Sequence, residues 1–188
     1  DTFRGKLLRL DVSGGWNEDV GYLVPPDNPF VAVPGALPEI YASGFRNPWK
    51  FHFDRVTGSL YLADVGSDRY EEVNLVTAGA DYGWPSMEGM ECQWFPDADG
   101  YVDPDCEGKD FAVPLIAYGH LSLDPLGGQA VTGGVVSYDP KLPDLFGAYV
   151  FGDFVTGRIW VTHPATIAPV PLLLATPGLT SLATGSHG

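Results

Sequence analysis

The sequence has almost no helical periodicity. No window of about a dozen residues places apolar side chains at i, i+3, i+4 and i+7 without an interrupting Gly or Pro. The 24 Gly and 17 Pro are spread between short apolar runs, which indicates many turns instead of a low-complexity segment. These features exclude a helical bundle and predict an all-β fold.

Basic residues are also scarce. Ten Lys and Arg against 24 Asp and Glu give a formal net charge of −14, so the basic surface that nucleic acid requires is absent. An anionic membrane surface is disfavoured for the same reason. No apolar run approaches the roughly 20 residues that span a bilayer, and the sequence predicts no membrane span.

Cysteine occurs only twice, as Cys92 and Cys106, in a segment that is rich in Pro and Gly. An even count within one loop favours a disulfide, which would add roughly 3 kcal/mol of stability. Two unrelated thiols are the alternative. A zinc site is disfavoured because no further Cys or His stands at ligand spacing.

Short strand-like runs recur along the chain as two meanders, each with tight turns. In both, an aromatic-Asp pair ends one strand, and another Asp ends the next strand. The runs of the two meanders cover residues 50–54, 59–64, 71–76, 134–139, 148–153 and 158–162.

Repeated meanders are typical of a β-propeller, in which each blade has about four strands. Residues 179–184 resemble the start of a third unit, so we expect two to three blades. We therefore predict a partial propeller domain over residues 1–188, truncated at both ends, with an inserted loop over 86–112. The remaining blades would lie in the same chain or in another chain.

Seven motifs in order add what periodicity does not show, and together they resemble the glucose/sorbosone dehydrogenase family. That family consists of six-bladed propellers and includes soluble aldose dehydrogenases and the propeller of hedgehog-interacting protein. The resemblance runs from about Gly5 to Trp160. The motifs are GKLLRLD at 5–11, PPDNPF at 25–30, GFRNPW at 44–49, DVG at 64–66, EEVN at 71–74, DYGWP at 81–85 and YVFGD at 149–153.

The resemblance implies oxidation of the anomeric carbon of an aldose by pyrroloquinoline quinone (PQQ) held against a calcium ion. It implies cofactor contacts from Arg46 and Asn47, because a guanidinium and an amide can bind carboxylate or quinone oxygens. It implies calcium ligands from the carbonyl oxygens of Gly66 and Ser67. The alternatives are an Arg46–Asp ion pair and a plain turn at 65–67.

The chain departs from the family at several implied contact positions. Val65 stands where the enzymes often have Gln, and Tyr138 stands where a Lys or Arg is usual. Gly178 and Thr180 occupy the positions of paired arginines. A cofactor with three carboxylates would therefore be held poorly by Arg46 alone, since unpaired charge in a partly buried site is costly.

No catalytic residue is assigned within this chain, because the family's catalytic histidine lies upstream of Gly5. His52 is expected on a solvated strand face, and His120 in a loop where lining a cleft is the less favoured alternative. Glu71 and Glu72 should point to opposite faces of a strand and cannot act together.

Two further groups of residues carry open alternatives. The acidic stretch 97–105 does not fit an EF-hand, and we expect a solvated loop there instead of a loose calcium site. The tryptophans could stack on sugar rings, although packing between blades is the more usual role. Those to which this applies are Trp49, Trp84, Trp94 and Trp160.

The sequence thus predicts part of a secreted or periplasmic, PQQ- and calcium-dependent aldose sugar dehydrogenase. The alternatives are a non-catalytic propeller segment that binds a protein or a glycan, and a structural segment that assembles with other chains.

Overall fold

The computed structural model describes residues 2–13, 21–92, 106, 108–163, 170–174 and 177–184, with the backbone alone described at 170–174. These residues form β-strands and one 3₁₀ turn, Pro143–Leu145, and contain no α-helix, which confirms the all-β prediction. The strands are β1 (Lys6–Leu8), β2 (Ile40–Ser43), β3 (Pro48–Phe53), β4 (Leu60–Asp64), β5 (Tyr70–Leu75), β6 (Met87–Glu88), β7 (Glu91–Cys92), β8 (Ile116–Gly119), β9 (Val131–Val136), β10 (Tyr149–Asp153), β11 (Arg158–Thr162) and β12 (Val170–Leu174).

Two four-stranded antiparallel sheets dominate the fold. The first blade has the order β3-β4-β5-β8 and the second β9-β10-β11-β12, while β1-β2 and β6-β7 form separate pairs. The prediction of a third unit at 179–184 was wrong, because no strand forms there. That segment runs beside the first blade instead, where the Lys50 ammonium donates to the Leu182 carbonyl at 3.2 Å.

The recurring aspartates are the turn-forming residues. Asp54 and Asp139 each follow the first strand of a blade, and each accepts a hydrogen bond from the N–H two residues later, at 2.9 Å from Val56 and from Lys141. A carboxylate that satisfies a turn N–H favours a chain reversal at that point. This explains why the two meanders share the same spacing of acidic residues.

The larger core lies between the two blades. Tyr61 and Tyr149 stack with ring centroids 4.4 Å apart, and Phe151 stacks on Trp160 at 5.5 Å. Aromatic pairs of this kind bury a large apolar area between sheets. The structure thus gives Trp160 a packing role, as expected from the sequence.

A second core covers the opposite face of the first blade, where Leu60 and Leu62 pack with Ala42 and Phe45 of the segment around β2. The pair β1-β2 closes as β5-β8 does: the Phe45 N–H donates to the Gly5 carbonyl just before β1, as the His120 N–H donates to the Arg69 carbonyl just before β5. By this likeness β1-β2 correspond to the outer two strands of a blade.

The expectation for His52 was wrong. On β3 the alternation places His52 on the half-buried face opposite Tyr61, and leaves Phe51 and Phe53 exposed, at 53% and 59%. The reason is that the Tyr61 face packs against the second blade, whereas β1-β2 cover only part of the other face.

The two cysteines are bonded to each other, with Cα atoms 6.0 Å apart, which confirms the disulfide prediction. Cys92 ends the short hairpin β6-β7. The acidic stretch 97–105 and Trp94 lie outside the described residues. None of the helical segments in the described ranges is long and apolar enough to cross a bilayer.

Candidate functional site

A buried carboxylate fixes the entry to the first blade. Asp64, at the end of β4, accepts hydrogen bonds from the backbone N–H groups of Arg46 at 2.8 Å and Asn47 at 2.6 Å. Burial raises the pKa of Asp64 to about 6, against the lowering effect of these two donors. Asp64 thereby holds residues 46 and 47 directly before β3, with both side chains exposed.

The second blade repeats this device. Asp153 accepts from the N–H groups of Gln129 at 2.8 Å and Ala130 at 2.7 Å, and also from the Tyr118 hydroxyl at 3.1 Å. The entry to each blade is therefore a fixed platform, and the two differ in that the first carries the cation Arg46 beside Asn47, whereas the second carries Gln129 beside Ala130. The Asp at the end of the second strand, seen in both sequence repeats, is the signal for this platform.

The Arg46 side chain lies over the turn that follows β4. Its Nη1 donates to the Val65 carbonyl at 3.1 Å, and its guanidinium lies 5.6 Å from the centroid of the Trp84 ring. It forms no ion pair with any carboxylate among the described residues. The alternative of an Arg46–Asp ion pair is thus not what the described residues show.

The turn at 65–70 has an ordered set of backbone donors. Glu88 Oε1 accepts from four successive N–H groups, those of Ser67 at 2.7 Å, Asp68 at 2.9 Å, Arg69 at 3.1 Å and Tyr70 at 3.3 Å. Such an arc of N–H groups around an anion is a backbone nest. Glu88 was not predicted from the sequence, and no spacing rule would have found it, since it lies in the loop after β5.

Glycine is required at position 66. A Cβ atom there would overlap the carbonyl oxygen of Tyr70, so the turn closes on itself too tightly for any side chain. The Gly66 N–H points to Glu71 Oε2 at 3.4 Å. The turn is therefore fixed by two buried carboxylates, Glu71 and Glu88.

Glu71 also joins the two blades. It is fully buried, and it binds His120 Nε2 at 2.7 Å and the Val131 N–H at 2.9 Å. Burial raises its pKa, opposed by these partners. His120 is itself buried, so it serves this contact and does not line a cleft.

Glu71 and Glu72 do face opposite ways, as the strand alternation predicted. Glu72 accepts from the Gly89 N–H at 2.6 Å and from the Asn74 amide at 3.2 Å. Burial raises the pKa of Glu72 to about 7. Neither glutamate is exposed to a substrate in the described part of the chain.

A cavity of about 360 Å³ opens between the blades beside Asn47. Asn47, Val65 and Thr180, three positions that the family resemblance linked to the cofactor, all line it, and its remaining walls are mostly apolar. Its lining residues are Asn47, Trp49, Val65, Ala130, Val131, Thr132, Phe154 and Thr180.

Tyr138 is not part of this group. Its hydroxyl contacts the Asp54 carboxylate at 2.9 and 3.1 Å, at the end of β3 opposite to Asn47. Tyr138 thus follows β9 at the far end of the blades, away from the cavity that Asn47, Val65 and Thr180 line.

The comparison with known proteins decides the family. The glucose/sorbosone dehydrogenase family model matches residues 1–163. The chain belongs to the glucose/sorbosone dehydrogenase family. It is 34% identical over 169 residues to the HIPL1 protein of Arabidopsis thaliana, with 83% of this chain and 24% of that protein covered. It is 31% identical over 109 residues to the aldose sugar dehydrogenase YliI of Escherichia coli, with 58% and 26% covered.

Solved structures of this family share the fold. The PQQ-bound aldose sugar dehydrogenase of Streptomyces coelicolor superposes with a TM-score of 0.61 at 22% identity, and 96% of this chain covers 43% of that one. The β-propeller prediction is confirmed. The chain spans about a quarter of the length of the two curated relatives named above.

Proposed function

We propose that the chain is part of a PQQ- and calcium-dependent aldose sugar dehydrogenase, which oxidises the anomeric carbon of sugars. One observation carries this proposal: Arg46 and the turn at Gly66, twenty residues apart, meet through the 3.1 Å bond from Arg46 to the Val65 carbonyl. The names of the E. coli and S. coelicolor relatives support the same reaction class. The disulfide supports a secreted or periplasmic location.

The residues present fit a calcium ion at this turn. A trans peptide directs the carbonyl of one residue opposite to the N–H of the next. Because the N–H groups of Ser67 and Asp68 point to Glu88, the carbonyls of Gly66 and Ser67 point away from that carboxylate. Backbone carbonyl oxygens are ligands that calcium accepts.

The exposed pair at 46–47 fits an anionic cofactor. Arg46 retains N–H donors beyond the one it gives to Val65, since a guanidinium carries five, and Asn47 adds an amide at the mouth of the cavity. The bound quinone would accept the hydride from the sugar. Arg46 and Asn47 would hold its oxygens, and we assign no catalytic base to this chain.

A second candidate is a non-catalytic propeller segment that binds a protein or a glycan. It is favoured by the lining of the 360 Å³ cavity, in which the described residues include no cation and Val65 and Thr180 stand at the family's contact positions. A cofactor with three carboxylates would gain little from such walls.

Calorimetric titration of PQQ into the full-length protein, with and without calcium, tests the proposal. We expect calcium-dependent binding that Arg46→Ala weakens by about tenfold or more, the usual loss for a charge-assisted hydrogen bond. Arg55→Ala is the matched control, because Arg55 stacks on Tyr138 at the far end of the blades. Absence of binding under every condition would overturn the proposal in favour of the second candidate.

A further inference from the structure

Glu88 is a buried carboxylate, 3% exposed, with no role in the proposed reaction. It lies on β6, in the loop between β5 and β8, and reaches back to the turn that precedes β5. All four of its hydrogen bonds to that turn go to one oxygen, Oε1, at 2.7 to 3.3 Å. Because a single oxygen accepts hydrogen bonds from four successive N–H groups, it sets the orientation of every peptide plane between residues 66 and 70.

That orientation has a consequence for the carbonyl groups. In each trans peptide plane the C=O points opposite to the next N–H, so the carbonyls of Gly66, Ser67 and Asp68 all lie on the side away from Glu88. The Val65 carbonyl is turned in the same sense, because the Gly66 N–H faces Glu71 and the Val65 oxygen receives Arg46. The Val65 carbonyl therefore faces Arg46, and the carbonyls of Gly66 and Ser67 point away from the Glu88 carboxylate.

We propose that Glu88 is a positioning residue for calcium, which aims the carbonyls of Gly66 and Ser67 at the ion without touching it. This inference rests on the proposed function. A partner that orients the ligands of a metal typically changes metal affinity by about 10- to 100-fold when removed. The hairpin β6-β7 that carries Glu88 is tied to the same turn through the Arg69–Glu91 ion pair at 2.6 Å and the bond from the Tyr70 hydroxyl to Glu91 at 2.8 Å.

Two substitutions separate the reach of Glu88 from its charge. Glu88→Asp keeps the negative charge but withdraws the oxygen by one methylene, so the four N–H groups lose their common acceptor. Glu88→Gln removes the charge and keeps an oxygen at the same reach. Asp144→Asn removes a negative charge from the exposed 3₁₀ turn without altering any contact of the turn at 65–70, and serves as the control for net charge.

The experiment is calorimetric titration of calcium into the full-length protein without quinone or sugar, with amide hydrogen exchange of residues 67–70 as a second readout. We expect Glu88→Asp to bind calcium about tenfold more weakly or worse and to exchange faster at 67–70. Glu88→Gln should stay within about threefold of wild type, since a neutral oxygen still accepts, although more weakly. Asp144→Asn should bind as wild type does.

The outcomes distinguish this inference from the function on which it rests. If wild type binds calcium and Glu88→Asp binds it equally well, the positioning role is overturned and the proposed function stands. If Glu88→Gln and Asp144→Asn both weaken binding while Glu88→Asp does not, net charge is responsible and the role is likewise overturned. If wild type itself binds no calcium, the metal half of the proposed function fails, and the role of Glu88 fails with it.

Discussion

Glu72 and Asn74 lie on one face of β5 and form a buried polar pair. The Asn74 amide nitrogen donates to Glu72 Oε2 at 3.2 Å, while its carbonyl oxygen finds no hydrogen-bond partner among the described residues. A buried acid with so few partners is more readily neutral than charged, consistent with burial raising the Glu72 pKa to about 7.

The raised pKa of Glu72 predicts a pH dependence of stability. At a pH below 4.5, its ordinary pKa, the acid is neutral in both the folded and unfolded chain; above 4.5 it ionises more readily when unfolded. Stability therefore falls as the pH rises from 4.5 to about 7, by at most about 3 kcal/mol. We expect Glu72→Gln, which cannot ionise, to reduce this slope in urea unfolding of the full-length protein.

Asp144→Asn is the control for that measurement, since Asp144 is exposed on the 3₁₀ turn and its removal should leave the slope unchanged. Equal slopes for wild type and Glu72→Gln between pH 4.5 and 7 would contradict the assignment.

At the residue scale, the sequence motifs identified candidate ligands better than the groups that hold them. Arg46, Asn47 and Gly66 were identified by motif, and the structure brings them to one region. The contacts of Glu88 with the turn at 67–70 and of Glu71 with His120 were not predicted, because each joins residues from separate strands or loops. Ser67 and Glu88 are 21 positions apart, and Glu71 and His120 are 49 positions apart. Alternation on a strand shows which residues share a face, but it does not identify a partner on another element.

The hairpin β6-β7 is a small element that the sequence did not predict. Each strand has only two residues, in a segment rich in Gly and Pro, which is too short for a period of two to be visible. Its position depends on contacts with the turn at 66–70 and on the disulfide at Cys92. The longer strands β3 to β5 were predicted because turn residues bound each of them.

The disulfide should contribute measurable stability to this element. Cys92 and Cys106 are separated by 14 residues, and closing a loop of that size adds about 3 kcal/mol by restricting the unfolded chain. We expect Cys92→Ser/Cys106→Ser in the full-length protein to lower the free energy of unfolding by about that amount, measured by urea denaturation. Met90→Ala, an exposed change in the same hairpin, should have little effect. A double variant as stable as wild type would show that the bridge is dispensable.

The choice of faces on β3 shows why alternation was insufficient for this fold. His52 and the flanking phenylalanines were correctly placed on opposite faces, but the wrong face was taken as solvated. In a propeller both faces of a blade pack against neighbouring blades. The more apolar face of β3 need not be the one that the described strands cover. The described neighbours happen to cover the His52 face.

At the scale of the molecule, the two blades leave one apolar face of β3 uncovered, the face that carries Phe51 and Phe53. A groove of about 640 Å³ separates β1 from the first blade, and Leu7, Tyr41, Phe51, Phe53 and Leu60 contribute to its walls. Since β1-β2 match only the outer two strands of a blade, two inner strands would occupy the position beside Phe51 and Phe53. The chain covers 43% of the S. coelicolor enzyme, which leaves room for them in the same protein or in another chain.

This interpretation predicts that Phe51 is covered in the full-length protein. We expect the thiol of Phe51→Cys to react slowly with a maleimide, because strands of the neighbouring blade would pack over it. Val56→Cys is the matched control, since Val56 lies in the β3-β4 turn and is 67% exposed against 53% for Phe51, and its thiol should react rapidly. Similar exposure in the described residues means that a large difference in rate must come from elements beyond them. Equal rates would instead leave the face open, as a surface for a partner other than a propeller blade.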